Sequence, residues 1–321
     1  MEFEKIPTVP TADEIMDRSL RRAAAKMREK RNKDRANQEF VRAIGQAIHD
    51  RLVQVISSFP DFDELPPFYR ELVEILYGIE RLKKSLGAVG WAARWSRLHG
   101  PPLVMETRRA DVTAISRRRA VARLSSVVHQ VDGDLRFLND VRNVLRKLPH
   151  VDDSFTIVVA GYPNVGKSSF IRLVSTAAPE VAGYAFTTQG IIVGHRETGC
   201  GRIQFIDTPG VLDRPPEKRN RIERQAMCAM GRIADVILFI IDPSGTCGYP
   251  LEDQENLLEE VKSTIESPVV VAANKADILP SGVYKNMSTA TGEGVDEVLE
   301  ALLAYQSAPT ASPGPMPEGN R

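Results

Sequence analysis

The stretch Phe155-Thr-Ile-Val-Val-Ala-Gly161-Tyr-Pro-Asn-Val-Gly-Lys-Ser168 decides the fold of the second half of this chain. It starts as a short β-branched run, passes through a segment that fits GxxxxGK[ST], and continues with helical spacing. In a strand-loop-helix context the glycines let backbone N–H groups curl around phosphate oxygens, and the helix N-terminus attracts the same negative charge. The sequence therefore predicts a phosphate-binding loop, formed with its flanks by Gly161, Asn164, Val165, Gly166, Lys167, Ser168 and Ser169.

Two side chains of this loop carry most of its chemistry. Lys167 is expected to reach the β and γ phosphates of a nucleotide. Ser168 would offer its hydroxyl to Mg²⁺, which prefers hard oxygen ligands.

Short apolar runs alternate with helical segments beyond the loop, which predicts a doubly wound, mostly parallel sheet with helices on both faces. The predicted strands are residues 155–161, 190–196, 202–207, 236–242 and 269–274, with a weaker one at 287–288. The predicted helices are residues 167–174, 219–233, 251–264 and 295–305. We therefore expect an α/β P-loop G domain over residues 151–306. A disordered tail is expected at 307–321, where four prolines occur without periodicity.

Residues 1–150 show almost no β-type alternation and are expected to form a basic, all-α helical bundle of four or five helices. Apolar residues recur three and four positions apart, as on helix faces that pack against other helices. Two such stripes are Leu72, Ile75, Leu76, Ile79, Leu82 and Leu86, and Leu135, Leu138, Val141, Leu145 and Leu148. Thr11-Ala-Asp-Glu14 predicts a capping box, and breaks are expected at 60–67 and at Gly100-Pro-Pro102.

Three further motifs follow predicted strands, as expected for a nucleotide site. In Asp207-Thr-Pro-Gly210, the carboxylate can hold a metal-bound water and the Gly210 N–H can contact a γ-phosphate. In Asn274-Lys275-Ala-Asp277, the Asp277 carboxylate can accept hydrogen bonds from N1–H and N2–H₂ of guanine, a pair that adenine lacks. The nucleotide is therefore predicted to be GTP. The loop of Ser288, Thr289 and Ala290 would present a backbone amide to guanine O6.

The run Tyr184-Ala-Phe-Thr-Thr188 resembles the Phe-Thr-Thr switch of the Obg-related, translation-factor-class GTPases. In that group a threonine closes over Mg²⁺ when the γ-phosphate is present. The resemblance implies that this threonine is Thr188, with Thr187 as the alternative.

A long basic helical region before an Obg-like G domain is similar to the Nog family, the nucleolar GTP-binding proteins, in their shorter archaeal form. The resemblance covers about residues 5–305 and is most specific in the four motifs of the G domain. It implies a factor for assembly of the large ribosomal subunit, with the helical domain against ribosomal RNA. Longer eukaryotic relatives continue beyond the G domain, so functions of that extension are not transferred.

Catalysis departs from the small signalling GTPases at one position. They carry a water-orienting glutamine after the DxxG motif, whereas this chain has Val211. We therefore predict slow intrinsic hydrolysis of GTP to GDP and phosphate, stimulated by the ribosomal particle, with Lys167, Thr188 and Gly210 as the catalytic residues.

Asn164 resembles an asparagine of potassium-activated GTPases, which implies a K⁺ site; the alternative is that it stabilises the turn.

The net charge of zero, from 42 Lys+Arg and 42 Asp+Glu, conceals an asymmetry. Residues 1–150 carry 28 basic and 20 acidic side chains, and residues 151–321 carry 14 and 22. Basic residues cluster at 18–42 and 81–123, where bands on helices could track RNA phosphates, although a solvated helix face is the alternative. Trp91 and Trp95 could stack on bases, or belong to the core.

Several classes of protein are not favoured by the sequence. The longest apolar run, residues 236–241, is far shorter than a membrane span, and the charged start does not resemble a signal peptide. Three cysteines without metal-ligand spacing support neither a disulfide framework nor a zinc site.

We expect a cytoplasmic monomer with GTP or GDP, Mg²⁺ and ribosomal RNA as partners. Two alternatives are a GTP-dependent RNA or protein binding placeholder with incidental hydrolysis, and a protein- or membrane-directed GTPase.

Overall fold

The computed structural model describes residues 2–28, 33–106, 113–148, 151–152, 154–182, 191–199, 201–207 and 231–306 of the 321-residue chain. The chain divides into two compact units, Met1–Lys147 and Leu148–Arg321. We refer to them as the helical unit and the sheet unit. The predicted tail at 307–321 lies outside the described residues.

The described part of the helical unit contains six α-helices after a 3₁₀ turn at Glu2–Lys5. They are α1 (Ala12–Arg28), α2 (Lys33–Ser58), α3 (Pro67–Tyr77), α4 (Ile79–Glu106), α5 (Thr113–Gln130) and α6 (Asp132–Leu145). The expected number of four or five is too low because two junctions are one residue long. Gly78 separates α3 from α4 with a left-handed φ of 73°, so the first apolar stripe is divided between two helices.

The core of this unit follows the helical spacing of its apolar residues. Helix α2 packs against α1, α4 and α5. Leu72 and Leu82 of the first stripe are fully buried, as are the α6 residues of the second stripe, Leu135, Leu138, Val141 and Leu145. Burying each such side chain contributes about 1.5–3 kcal/mol, so these faces hold the bundle together.

Local signals at the helix ends are confirmed in two places and wrong in a third. The capping box is present, because Glu14 accepts a 3.0 Å hydrogen bond from the Thr11 N–H and Thr11 Oγ1 accepts one of 3.4 Å from the Glu14 N–H. The break at 60–67 separates α2 from α3. The break expected at Gly100-Pro-Pro102 is absent, since α4 continues to Glu106. A proline removes one backbone hydrogen bond, which can bend a helix without ending it.

The sheet unit has seven strands in the order β2-β3-β4-β1-β5-β6-β7. They are β1 (Phe155–Ala160), β2 (Glu180–Ala182), β3 (Ile191–Thr198), β4 (Gly201–Asp207), β5 (Val236–Ile241), β6 (Val269–Ala273) and β7 (Lys285–Asn286). Strand β3 is antiparallel to β2 and β4, and the other pairs are parallel. The described helices are α7 (Lys167–Val174), α8 (Leu251–Thr264) and α9 (Val295–Leu303).

The predicted fold class, an α/β P-loop G domain after an all-α helical domain, is confirmed. Strand β2 was not predicted, because three residues show no periodicity. Strand β7 lies two residues before its predicted position. Of the helix predicted at 219–233, only residues 231–233 are described, and they are helical. Within the described ranges, no helix is long and apolar enough to cross a membrane.

The sheet positions the candidate site through its central strands. Strand β1 pairs in parallel with β4 on one side and β5 on the other, and all three are almost entirely buried. The register places Val159 beside Asp207 and Ala160 beside Phe239. The loops that leave the carboxyl ends of these strands therefore meet at one edge, where open α/β sheets bind their ligands.

Candidate nucleotide-binding site

The loop between β1 and α7 has a backbone that favours glycine at two positions. Gly161, Asn164 and Gly166 have left-handed φ values of 131°, 63° and 107°. A Cβ on Gly161 would lie 2.3 Å from the Ile240 carbonyl oxygen, and one on Gly166 would lie 2.1 Å from Asn274 Nδ2. Alternation of right- and left-handed residues turns N–H groups into a concave nest that binds anions. The loop thus has the conformation that its sequence pattern predicts.

Lys167 begins α7 and its side chain curls back over the loop. It is buried, and its ammonium group donates hydrogen bonds of 2.8 Å to the Gly161 carbonyl and 2.9 Å to the Tyr162 carbonyl. Positive charge is therefore concentrated at the loop. Val165 is buried beneath it, and Ser169 is exposed in the first turn of α7.

Ser168 and Asp207 bring two hard oxygen donors together. Ser168 Oγ donates a 2.6 Å hydrogen bond to Asp207 Oδ2, which joins the first turn of α7 to the end of β4. The carboxylate is 2% exposed. A hydroxyl beside a carboxylate at a phosphate-binding loop suits Mg²⁺, so these residues fit the metal that this class of fold implies. The other predicted metal and phosphate contacts, Thr188 and Gly210, lie outside the described residues, as does Thr187.

Asn274 connects the phosphate-binding loop to the loop at 288–290. Its Nδ2 donates to the Val165 carbonyl at 2.7 Å and to Thr289 Oγ1 at 3.0 Å, and its Oδ1 accepts from the Thr289 N–H at 2.9 Å. The side chain is almost completely buried. Because its amide is satisfied on both sides, Asn274 fixes the position of one loop relative to the other.

Asp277 and Ser288 occupy the two loops beyond β6 and β7. Asp277 is exposed in the turn that follows β6, and its carboxylate has no hydrogen-bond or ion-pair partner among the described residues. Ser288 is buried, and its Oγ accepts hydrogen bonds from the N–H groups of Ala290 at 3.3 Å and Thr291 at 3.2 Å. The aspartate is thus available to a ligand, whereas the serine shapes the turn beside it.

Residues 242–250, which we call the bracing segment, contact the predicted site from the end of β5. Lys275 has a left-handed φ of 60°, and its ammonium donates to Asp242 Oδ2 at 2.7 Å and Thr246 Oγ1 at 2.8 Å. Burial of Asp242 opposes its ionisation, but hydrogen bonds from Lys275, from Ser244 and Thr246, and from the Cys247 N–H hold the pKa of this carboxyl below its ordinary value. Lys275 is therefore held by a fixed anion.

The bracing segment also contacts the phosphate-binding loop. The ring of Tyr249 lies 4.3 Å from that of Tyr162, centroid to centroid. Gln254 of α8 holds the segment, since its Oε1 accepts from the Asp242 N–H at 2.8 Å and its Nε2 donates to the Tyr249 carbonyl at 2.9 Å. From the sequence, Asp242 is predicted only as the last residue of a strand. An acid at the carboxyl end of a buried strand was the signal that could have identified it.

Comparison with known proteins matches both units to one family. The family described as NOG1 N-terminal helical domain matches residues 3–152, and the family described as nucleolar GTP-binding protein 1 (NOG1) matches residues 221–277. An uncharacterized protein of Methanocaldococcus jannaschii, MJ1408, is 41% identical over 288 residues, which cover 86% of this chain and 81% of that protein.

Eukaryotic relatives are longer. Nucleolar GTP-binding protein 1 of Drosophila melanogaster is 36% identical over 289 residues, or 86% of this chain and 44% of the relative. The Arabidopsis thaliana protein of the same name is 33% identical, with 43% of its length covered. The chain therefore spans less than half of these two relatives. Taken with the two family matches and the archaeal relative aligned over most of its length, these similarities establish that the chain belongs to the nucleolar GTP-binding protein 1 family.

Proposed function

We propose that the sheet unit binds GTP and hydrolyses it to GDP and phosphate. The observation that carries this proposal is the Asn274 side chain, which joins the phosphate-binding loop to the loop at 288–290. Base-binding and phosphate-binding elements held at a fixed spacing suit one nucleotide, and Asp277 offers a carboxylate that guanine can bond twice and adenine cannot.

Each side chain of the site then has a distinct role. Lys167 and the backbone N–H groups of residues 164–168 bind phosphate oxygens, and the Gly210 N–H contacts the γ-phosphate. Ser168 and Thr188 would hold Mg²⁺, with Asp207 acting through a water, and the bound metal would neutralise charge on the phosphates. Ser288, Thr289 and Ala290 form the loop that meets guanine O6.

We further propose that the chain acts in assembly of the large ribosomal subunit, with residues 1–150 docked on ribosomal RNA. The names of the eukaryotic relatives and the basic character of this region support the proposal. Val211 replaces the water-orienting glutamine, so intrinsic hydrolysis is slow and the ribosomal particle stimulates it. Loss of the γ-phosphate would release the segments at Thr188 and Gly210 and so time the departure of the protein.

Sedimentation with large ribosomal subunits tests this function. We expect co-sedimentation with a non-hydrolysable GTP analogue and weaker association with GDP. Isolated 50S-type particles should also accelerate single-turnover GTP hydrolysis. Absence of association in both nucleotide states would contradict the assembly role and leave GTP binding intact.

A placeholder function is favoured by one observation, the apolar Val211. In that case GTP-dependent binding matters and hydrolysis is incidental. A hydrolysis-deficient variant such as Gly210→Ala separates the two functions. The assembly timer predicts particles that stall with the variant bound, whereas the placeholder predicts particles that still mature.

Asn164 has two candidate roles in this site. Its exposed side chain could help to hold K⁺ near the phosphates, or its left-handed backbone could simply form the turn, a conformation in which asparagine is enriched. Single-turnover hydrolysis in KCl and in NaCl distinguishes them. Faster hydrolysis in KCl indicates a K⁺ site, and equal rates leave Asn164 as a turn residue.

A further inference from the structure

One face of α4 displays large apolar side chains. Trp91 is 42% exposed and Leu98 is 62% exposed. Arg94 and Trp95 fall between them, and the spacing i, i+3, i+4, i+7 places all four residues on one side of the helix. We call these four residues the α4 platform. The packed side of α4 is formed by buried residues, including Val89, Ala92, Ala93 and Ser96.

The platform is supported by contacts within α4 and by one contact with α2. The Trp95 ring stacks on the His99 imidazole with centroids 4.5 Å apart and planes 13° from parallel. On the packed side, His49 Nδ1 of α2 lies 3.0 Å from the Ala93 carbonyl oxygen, and Ser96 Oγ donates a 2.8 Å hydrogen bond to the Ala92 carbonyl. The helix therefore presents its aromatic rings from a fixed backbone.

The platform also carries positive charge that the described structure does not neutralise. The sequence of α4 contains no acidic residue between Glu80 and Glu106. Arg94 and the adjacent Arg97 are exposed, and within the described ranges neither forms an ion pair. Lys83, on the same helix, does pair with a carboxylate, that of Asp63. Two exposed cations that form no ion pair with the described residues thus lie beside the aromatic surface.

The size of the apolar area distinguishes between kinds of partner. A tryptophan side chain offers at most about 250 Å², so the exposed part of Trp91 is on the order of 100 Å². A stable protein interface needs about 800 Å² from each partner, far more than the platform supplies. The area suits one or two stacked bases, and the arginines suit the phosphates beside them.

We propose that the α4 platform binds an unpaired, single-stranded RNA segment, with a base stacked on Trp91 and phosphates bound by Arg94 and Arg97. This inference rests on the proposed docking of residues 1–150 on ribosomal RNA and names the surface that performs it. Duplex RNA does not offer free base faces and would bind only through its phosphates.

Tryptophan fluorescence of the full chain tests the proposal, because Trp91 and Trp95 are the two tryptophans of the sequence. Titration with a short oligouridylate should quench the emission, and a duplex of equal length should quench it much less. By anisotropy of labelled oligouridylate, Trp91→Ala should weaken binding about 5- to 100-fold, the loss expected for one base-aromatic stack.

Two variants serve as controls. Trp91→Phe keeps an aromatic ring and should stay within about threefold of the parent chain. Val53→Ala removes an equally exposed apolar side chain, 41% exposed on α2, and should leave binding unchanged.

Four results would contradict the proposed binding of RNA to the α4 platform. RNA binding that persists with unchanged fluorescence and no effect of Trp91→Ala would leave ribosomal docking intact but place it elsewhere. Equal quenching by duplex and single strand would exclude stacking. A fluorescence change with large-subunit proteins and none with RNA would assign the surface to a protein. No RNA binding in any assay would contradict both the platform and the proposed docking.

Discussion

The two units use charged side chains in opposite ways. In the sheet unit several ionisable groups around the candidate site are bonded within the protein, as with Asp207 to Ser168 and Asp242 to Lys275. In the helical unit Arg94 and the other arginines on exposed helix faces point to solvent. A fixed, bonded charge recognises one ligand geometry. Exposed cations bind polyanions with little dependence on geometry, and this binding weakens as the salt concentration rises. We therefore predict that substitutions in the sheet unit change nucleotide affinity or nucleotide choice, and that those in the helical unit change RNA affinity alone.

The largest expected effect comes from Gly166→Ala. Gly166 has a left-handed φ of 107°, which strains the backbone of an alanine. The added Cβ also overlaps Asn274 Nδ2, so both the loop and the Asn274 connection must shift. Strain and lost hydrogen bonds of this kind cost several kcal/mol, and we expect about a 10³-fold loss of GDP affinity by titration calorimetry. Gly199→Ala, where the new Cβ meets nothing within 4 Å, is the matched control and should bind GDP normally.

Asp277→Asn should change the base that the site prefers. An amide keeps one acceptor and replaces the other with a donor, so GTP affinity should fall about 10²-fold. Xanthine nucleotides offer a carbonyl where guanine has its amino group and should bind the variant more tightly than GTP. Competition between GTP and XTP measures the preference. Unchanged GTP affinity would contradict the role of Asp277 in base recognition.

The bracing segment predicts a smaller effect on the same site. Thr246→Val removes the hydroxyl that accepts from Lys275 and donates to Asp242, and should weaken GDP binding about 5- to 10-fold, while Thr246→Ser should restore it. The pKa of Asp242 in the folded chain lies below its ordinary value. The ionised carboxylate therefore contributes fully to the free energy of unfolding above the ordinary pKa, and this contribution is lost as pH falls through the lowered pKa of the folded chain. GDP affinity that Thr246→Val leaves unaltered would show that Lys275 needs no such support.

The smallest effect concerns the helical unit. Arg118 and Arg119 are exposed on α5 and have no ion-pair partner within the described ranges. Replacing both with Gln should weaken RNA binding a few-fold and reduce the slope of log affinity against log salt by about 1–2, with GDP affinity unchanged. Arg136→Gln is the control, because its guanidinium already bonds Asp132 at 2.6 Å. If each of the three arginines contributes equally to RNA affinity, binding depends on total charge and not on a defined RNA-binding surface.

Much of the sheet unit was predictable because its signals are local. The apolar runs predicted β1, β3, β4, β5 and β6, and α7 and α8 begin and end where their spacing indicated. Two features of the helical unit differ from what the local signals indicated. The one-residue junction at Gly78 is an example: Ile75 and Ile79 continue one apolar stripe, but the left-handed glycine ends α3 between them. Likewise, Gly100-Pro-Pro102 was a sound local signal for a break, and α4 nevertheless continues through it.

The sequence by itself determined the nucleotide motifs and their placement at strand ends, because a strand-loop-helix pattern with obligatory glycines specifies its own backbone. Only the tertiary structure decided that Asn274 joins two loops, that Asp242 holds Lys275, and that Trp91 faces outward while Ala92 and Ala93 are buried. Each of these facts depends on which residues become neighbours across the sheet or between helices. Helical spacing fixes which residues share a face, but the packing of the other helices determines whether that face is covered.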